Sequence, residues 1–378
     1  MNLPSPQLQW TENDEVRSCR WHAENGTPPP KRVQIADDRM STEVAYKLAC
    51  EGTALLWRGD FQNAKQLLQA LARRIDKKPA AKKTKVAATA ADAFHLHRQA
   101  QSQRARVLSM VLIPFEADYR IPLRRAPDVV TACTEAYGAP DGAFVTSLRE
   151  LLGIIGAHEW RKNGVDIAAL GAKIHPHYGV FSPVRGEYLD LLAKAPLPST
   201  ELAFDIGTGT GVVSALLAKR GIRKIIATDL DPRALRCASD NLERLELTTQ
   251  VELQQTDLFP AGKAHLIVCN PPWLPARPNS AIEHAIYDPE SRMLRGFLAG
   301  VADHLEANGE AWLIMSDFAE HLGLRSQTEL WDWITAAGLV VAGKMDIKPQ
   351  HPKSTDSSDP LHAARVKEVT SLWRLKLK

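Results

Sequence analysis

Short apolar runs alternate with segments of helical length from about residue 175 to the C-terminus. Five of these runs read as strands: ELAFDIG, KIIATDL, VELQQTD, HLIVCN and EAWLIMSD. Three segments between them have helical apolar spacing: GVVSALLAKRG, DPRALRCASDNLERL and PESRMLRGFLAGVADHL. Such alternation is typical of a parallel sheet covered by helices, so the sequence predicts an α/β fold. Two last runs, LVVAGKMDIK and EVTSLWRLKL, predict an antiparallel hairpin at the C-terminal edge of the sheet.

The first 170 residues carry weaker signals. Residues 1–40 are rich in proline and polar residues, which predicts a loose leader. Residues 41–170 mix basic and apolar residues, and we interpret them as a smaller, mainly helical domain for substrate recognition. Within it, RGDFQNAKQLLQALARRI has the spacing of an amphipathic helix capped by Asp60, and lysine and alanine between residues 77 and 92 indicate a linker. Residues 171–378 form the predicted α/β domain.

Composition limits the partners and the compartment. The chain has 378 residues and a formal net charge of only +3, so binding to a polyanion requires a local basic patch. Its five cysteines lack C-x-x-C spacing, which argues against a disulfide framework and a zinc site and favours a reducing cytoplasm. No apolar run is long enough to span a bilayer and no secretory signal is present. We therefore expect a cytoplasmic protein with no membrane partner and no metal.

The first strand of the α/β domain runs into the glycine-rich turn DIGTGTG. It contains an acid and three glycines: Asp205, Gly207, Gly209 and Gly211. A dinucleotide-binding fingerprint needs a glycine where Val212 stands, which weakens that interpretation. Glycine lets the backbone approach a ligand closely, and a carboxylate accepts hydrogen bonds from an amino-bearing ligand. A plain tight turn is the alternative.

Two further acids end the second and third predicted strands. Asp229 lies at the position from which a carboxylate binds both hydroxyls of a ribose. A helix cap is the alternative role, but Asp231 before Pro232 already serves that purpose. Asp257 ends the third strand, where it can accept a hydrogen bond from an adenine amino group. Three acids at one edge beside a glycine turn indicate a ligand site.

The fourth strand ends in the tetrapeptide Asn270, Pro271, Pro272 and Trp273. The prolines make this loop rigid and project the asparagine from the strand end. The Asn270 side-chain oxygen and the Pro271 carbonyl can accept the two protons of a planar NH2 group, which favours a nucleophilic nitrogen without a strong base. Trp273 can hold a planar substrate by its π face. The alternative is a rigid loop with a core tryptophan.

Together these motifs resemble those of the class I S-adenosylmethionine-dependent methyltransferases, over residues 175–378. The resemblance implies a Rossmann-like, mostly parallel seven-stranded sheet with S-adenosylmethionine as cofactor. It implies that Asp205 and the three glycines hold the methionine part, Asp229 the ribose and Asp257 the adenine. Leu230 and Leu258, which follow the last two acids, complete the implied cofactor site.

The stretch IVCNPPW is similar to the signature of amino-methyltransferases that act on planar nitrogens. This group includes small-domain rRNA methyltransferases and protein glutamine methyltransferases. The resemblance implies that residues 270–273 are catalytic and that the acceptor is a base amine or a glutamine amide. A looser resemblance covers Phe181, Pro183, Arg185 and Glu187, in a segment that covers the cofactor pocket in the family; an ordinary amphipathic helix is the alternative.

The acceptor depends on the N-terminal half. Basic residues that could follow phosphates favour a nucleic-acid base, most simply in RNA: Arg73, Arg74, Lys77, Lys78, Lys82, Lys83, Lys85, Arg98, Arg104, Arg106, Arg120, Arg124 and Arg125. A helical unit before the catalytic domain also occurs in the release-factor and ribosomal-protein methyltransferases, although theirs is shorter. RNA or a translation-associated protein is therefore the expected partner. A binding module that retains the cofactor but has lost catalysis is a third hypothesis, against which the intact tetrapeptide speaks.

Overall fold

The computed structural model describes residues 6–77, 87–184, 186–278, 281–350 and 355–378. The chain folds as two compact units. The first comprises residues 1–86 and 96–159, and the second comprises residues 87–95 and 160–378. The division therefore falls near residue 160 rather than residue 170, and a short piece of the N-terminal half belongs to the second unit.

The first unit contains a six-stranded mixed sheet with the strand order β1-β2-β6-β5-β4-β3. Its strands are β1 (Gln7–Glu12), β2 (Glu15–Trp21), β3 (Arg32–Ala36), β4 (Thr53–Trp57), β5 (Val111–Phe115) and β6 (Phe144–Ser147). Its helices are α1 (Thr42–Cys50), α2 (Phe61–Asp76), most of α3 (Ala90–Leu108), α4 (Val130–Tyr137) and most of α5 (Leu148–Asn163). The helices agree with the predicted helical character, whereas the sheet was not predicted.

The prediction of a loose leader over residues 1–40 is wrong, because this segment supplies three strands of the sheet. Strands β1 and β2 form a hairpin whose two turn residues, Asn13 and Asp14, have φ of 53° and 61°. Positive φ at both central residues is the geometry that tight hairpins favour. The polar composition reflects side chains on the exposed parts of these strands, while Leu8 and Trp21 are buried.

Strands β4 and β5 were missed for a different reason. In β5 all five residues are buried, and in β4 four of five are, so neither shows the polar alternation of a half-exposed strand. The predicted amphipathic helix is confirmed as α2, and the Asp60 carboxylate accepts a hydrogen bond from the Gln62 amide at 2.9 Å. Of the predicted linker, residues 78–86 lie outside the described residues, and residues 90–92 begin α3.

The second unit contains the predicted α/β sheet, with seven strands in the order β11-β10-β9-β12-β13-β15-β14. Strand β15 runs in the opposite direction to the other six strands, and it pairs antiparallel with both of its neighbours, β13 and β14. The strands are β9 (Leu202–Ile206), β10 (Lys224–Asp229), β11 (Val251–Gln255), β12 (Ala264–Cys269), β13 (Leu305–Ser316), β14 (Leu339–Ile347) and β15 (Thr370–Leu377). The predicted fold class is confirmed, and so is the antiparallel pairing of the last two strands. A separate two-stranded sheet joins β7 (Val165–Ile167) and β8 (Ala172–Ile174).

Helices cover both faces of the seven-stranded sheet. Side chains of α6 (Glu187–Lys194), α7 (Val212–Lys219) and α8 (Pro232–Arg244) pack in one apolar core. Side chains of α9 (Arg292–His304) and α11 (Glu329–Ala336) pack in the other. The short helices α10 (Phe318–His321) and α12 (His362–Arg365) contribute to a smaller cluster. Because both faces of the sheet are covered, polar groups collect where the parallel strands end.

Candidate active site

Strands β9, β10 and β12 are parallel neighbours, so their carboxyl ends meet at one edge of the sheet. Asp205 is the penultimate residue of β9, Asp229 ends β10, and Asn270 directly follows β12. Asp257 follows β11, the next parallel strand beyond β10. The fold therefore brings the strand-end residues singled out in the sequence to a single edge, as parallel strands require.

The three glycines of the turn after β9 all have positive φ: 75° at Gly207, 55° at Gly209 and 79° at Gly211. A Cβ at Gly211 would lie 3.2 Å from the Ala238 Cβ of α8, so this glycine permits close packing. A Cβ at Gly209 would meet no atom within 4 Å and would project into open space. The middle glycine thus keeps the backbone of the turn accessible to a ligand.

Asp205 is buried beneath this turn. Its Oδ2 accepts hydrogen bonds from the Ser214 hydroxyl at 2.6 Å, the Thr208 hydroxyl at 2.8 Å and the Ser214 amide at 3.1 Å. Burial raises the pKa of Asp205 to about 6, although these hydrogen bonds oppose the increase. Ionisation of this carboxyl therefore costs free energy, and a cationic ligand group near the carboxylate would stabilise the ionised form.

Asp229 stabilises the turn from the end of β10. Its Oδ2 accepts a hydrogen bond from the Gly209 amide at 3.0 Å, and its Oδ1 accepts one from the Asp231 amide at 2.9 Å. Burial raises the pKa of this carboxyl, and the two amide hydrogen bonds oppose that increase. Asp231 caps α8 by accepting from the Arg233 amide at 2.8 Å, which confirms the separate cap predicted from the sequence.

The outer part of the predicted cofactor site is more exposed. The Asp257 carboxylate forms an ion pair with Arg292, a partner that sequence analysis did not predict. Leu230 is 59% exposed, so its apolar side chain is accessible next to Asp229. Leu258 has a φ of 69°, and its carbonyl accepts a hydrogen bond from the Thr228 hydroxyl at 2.6 Å. The cofactor roles of these residues stay predictions.

The loop of residues 270–273, which we call the acceptor loop, is held at both ends. The Trp273 indole N–H donates to the Asn270 Oδ1 at 3.1 Å, and the Trp273 ring packs against both cores of the sheet. Leu274 forms a β-bridge with Tyr287, in which its amide donates to the Ile286 carbonyl at 3.2 Å. The tryptophan is therefore a core residue in part, as the alternative interpretation held, and it also orients the asparagine.

Tyr188 is a site residue that sequence analysis missed. It is buried in α6 and lies within hydrogen-bonding reach of the Asn270 side chain. Burial raises the pKa of the Tyr188 hydroxyl, and the interaction with Asn270 opposes that change. The sequence feature that could have indicated Tyr188 is its position next to Glu187, in the segment that resembles the one covering the cofactor pocket in the family. Of that segment Arg185 lies outside the described residues, whereas Phe181, Pro183 and Glu187 are described.

Several basic residues of the first unit are paired with acidic partners. Arg124 and Arg125 both donate to the buried Asp60 carboxylate, at 2.9 and 2.7 Å. Arg104 donates to Asp76 at 2.8 Å, and Arg120 donates to Asp118 at 2.6 Å. Four of the predicted cations, Lys78, Lys82, Lys83 and Lys85, lie outside the described residues. The ion pairs reduce the charge available to phosphates.

Other predictions concern absences. In the described part of the chain no three His, Cys, Asp or Glu side chains come together as ligands for a metal ion. All five cysteines are free. The helices within the described ranges are all too short or too polar to cross a bilayer.

Comparison with known proteins shows which family part of the second unit is similar to. Residues 171–327 match the family model described as Methyltransferase small domain, which confirms the resemblance found in the sequence for that segment. A putative protein N5-glutamine methyltransferase of Methanocaldococcus jannaschii is 30% identical over 32% of this chain and 59% of its own length. A tRNA1(Val) (adenine(37)-N6)-methyltransferase of Cytophaga hutchinsonii is 34% identical over 32% of this chain and 54% of its own length.

A solved ribosomal protein L11 methylase of Lactobacillus delbrueckii subsp. bulgaricus is 16% identical, with a TM-score of 0.36, over 53% of this chain and 82% of its own. The chain spans a little over half the length of the two curated relatives described above. The family-model match over residues 171–327 lies within the second unit, so it relates that stretch to the methyltransferases and leaves the acceptor open.

Proposed function

We propose that this chain, whose residues 171–327 match the methyltransferase small domain, is an S-adenosylmethionine-dependent N-methyltransferase that acts on a planar NH2 group. One observation carries the proposal: Asn270 stands at the carboxyl edge of the sheet beside the glycine turn, with its side-chain oxygen oriented by Trp273. A rigid oxygen acceptor next to a cofactor turn is what methylation of a weakly nucleophilic nitrogen requires.

The residues at the edge fit S-adenosylmethionine. Asp205 is suited to the amino group of the methionine part because its buried carboxylate gains from a nearby cation. Asp229 is suited to the ribose hydroxyls, and the exposed apolar surface of Leu230 suits the adenine ring. Gly209 leaves the space that a Cβ would fill. When bound, S-adenosylmethionine supplies an electrophilic methyl group on a sulfonium centre.

The acceptor loop supplies the means to activate the nitrogen. An amide oxygen has two lone pairs, and the Trp273 indole N–H uses one of those on Asn270. The second lone pair, together with the Pro271 carbonyl, is suited to accept the two N–H hydrogens of the substrate. These hydrogen bonds favour the geometry in which the nitrogen lone pair is localised for attack. Asn270, Pro271, Pro272 and Trp273 are the proposed catalytic residues.

A glutamine side-chain amide is the acceptor that we propose first. Ile282 and Ile286 are 45% and 36% exposed in the segment hydrogen-bonded to Leu274, the residue after the acceptor loop, and exposed aliphatic side chains suit a protein surface. The preference for RNA came from basic clusters, and several of those arginines are ion-paired. A nucleic-acid amine is the second candidate, supported by the similarity to a tRNA adenine methyltransferase. A translation-associated protein or RNA therefore remains the proposed partner.

The test is to incubate the purified protein with methyl-labelled S-adenosylmethionine and an extract from cells that lack it. Protease and nuclease digestion of the product then locate the label. Recovery as methylglutamine supports the first acceptor and recovery as a methylated nucleoside supports the second. No labelled product would contradict the proposal and favour the binding module.

Two substitutions separate the roles within the site. We expect Asn270→Ala to reduce turnover on the order of a hundredfold, because an acceptor used in the transition state is lost, with cofactor affinity nearly unchanged. Asp229→Ala should instead weaken cofactor binding. Isothermal titration measures affinity and the label assay measures turnover. Full activity of Asn270→Ala would refute the assigned role.

A further inference from the structure

A buried arginine is bonded to the last residue of the acceptor loop. Arg325 is only 5% exposed, and its Nη2 donates to the Trp273 carbonyl at 3.2 Å. Its Nη1 donates to the Glu320 Oε1 at 3.4 Å. Both residues lie in the segment that follows β13, the strand next to β12 in the sheet. The strand that delivers Asn270 and the segment that carries Arg325 are therefore neighbours.

The pair of Arg325 and Glu320 is poorly suited to stabilise the fold. A distance of 3.4 Å is long for a charge-assisted hydrogen bond, which is usually below 3 Å. The Arg325 Nε and the Glu320 Oε2 are both buried and have no hydrogen-bond partner among the residues that the structure describes. Burying such an incompletely bonded pair costs free energy. Stability alone therefore does not account for this pair.

The acceptor loop has few backbone groups with which to fix itself. Pro271 and Pro272 lack an N–H, so neither residue can donate a backbone hydrogen bond. The Trp273 carbonyl is held by Arg325, while the Trp273 indole N–H holds the Asn270 side-chain oxygen. A continuous path of hydrogen bonds therefore runs from Arg325 through Trp273 to the proposed acceptor of the substrate protons.

We propose that Arg325 is a positioning residue for methyl transfer: it fixes Trp273, and through Trp273 it fixes the Asn270 amide. Glu320 orients the guanidinium. This proposal rests on the proposed function, because it assigns Arg325 to the same acceptor loop. Displacing a catalytic group by about 1 Å costs about a hundredfold in rate. Loss of the Arg325 bond should therefore lower turnover while the cofactor turn stays intact.

The decisive variant is the uncharged pair Arg325→Met with Glu320→Gln, which leaves no unpaired buried charge. The matched control is Arg374→Met with Glu310→Gln, a partly buried ion pair between β15 and β13 whose described hydrogen bonds do not involve the loop. Arg325→Lys keeps a positive charge beside Glu320 but lacks the two-armed guanidinium. We would measure kcat, KM and cofactor affinity for each protein, and hydrogen exchange of the peptide spanning residues 271–276.

We expect the decisive variant to lower kcat at least tenfold and to increase exchange of this peptide, with cofactor affinity within about twofold of the native value. The control should change none of these quantities, and Arg325→Lys should stay impaired. Unchanged kcat and unchanged exchange in the decisive variant would overturn the proposal, as would full activity of Arg325→Lys. If the native protein transferred no methyl group, the proposed function would fail, and the exchange measurement alone would still decide whether Arg325 fixes the loop.

Discussion

The Asp205 carboxylate accepts hydrogen bonds from hydroxyl and amide donors, which stabilise its charged form. Burial has the larger effect and raises its pKa to about 6. If its carboxylate binds the amino group of S-adenosylmethionine, protonation must weaken the cofactor. We expect the dissociation constant to increase about tenfold between pH 7.5 and pH 5, because the carboxylate is about one-tenth ionised one unit below its pKa. Isothermal titration across this range tests the prediction. In Asp205→Asn the cofactor should bind weakly, with a dissociation constant that is independent of pH. If the pH dependence were unchanged in this variant, it would have to arise from another titrating group.

Gly211 and Gly209 offer a matched comparison, because both have positive φ but different surroundings. Gly211→Ala places a Cβ 3.2 Å from Ala238 in addition to the backbone strain, so we expect a loss of about 2–4 kcal/mol in the free energy of unfolding. Gly209→Ala has the backbone cost of about 1–2 kcal/mol alone, and its methyl group projects into the proposed cofactor space.

Urea unfolding and cofactor titration distinguish the two substitutions. Gly211→Ala should affect mainly stability, and Gly209→Ala should affect mainly cofactor affinity. Equal effects of the two substitutions on affinity would argue against the placement of the ligand over the middle glycine.

At the scale of elements, the second unit could be predicted because its strands and helices differ in length and apolar spacing. All seven strands of its sheet coincide with predicted runs. The first unit could not be predicted in the same way. Strand β5 is buried throughout and strand β2 is mostly exposed, so neither shows period-two alternation. The hairpin signal Asn13-Asp14 was present but stood in a segment whose composition resembled a disordered leader.

The same limit applies to the site. Residues at strand ends, such as Asp229 and Asn270, could be found because strand order brings parallel ends together. Arg325 could not, because it reaches the acceptor loop through tertiary packing from the segment after β13, and the signal for Tyr188 was only its position next to Glu187 in α6. Sequence spacing carries no information about contacts of that kind. The ion pair of Asp257 with Arg292 was missed for the same reason.

At the scale of the whole molecule, particular carboxyl groups in the two units should respond oppositely to acid. In the first unit, Arg125 lowers the pKa of Asp60 to about 2, and Arg58 lowers that of Glu12 to about 2. These carboxylates contribute stability above their unfolded pKa values, near 4, and that stability is lost as the pH falls towards 2. In the second unit, the raised pKa of Asp205 means that stability increases as the pH falls from about 6 to about 4, by about 3 kcal/mol.

Calorimetry of the cofactor-free protein between pH 3 and pH 7.5 checks this prediction, with variants to assign the transitions. Asp205→Asn should abolish the increase in stability between pH 6 and pH 4, and Asp60→Asn should reduce the loss below pH 4. If both transitions shifted in the same direction throughout, the pKa assignments would be wrong.

Phe94 shows that neither unit is a continuous stretch of chain. It belongs to the second unit, where it is buried with Leu274, Phe318 and Leu361. Leu274 directly follows the acceptor loop. Phe94 therefore packs beside a loop that lies about 180 positions further along the chain and is synthesised later. A chain that began at residue 160 would contain every motif of the family and still lack this side chain. Recombination between genes could not exchange the N-terminal half of this protein without also replacing part of the support of the acceptor loop.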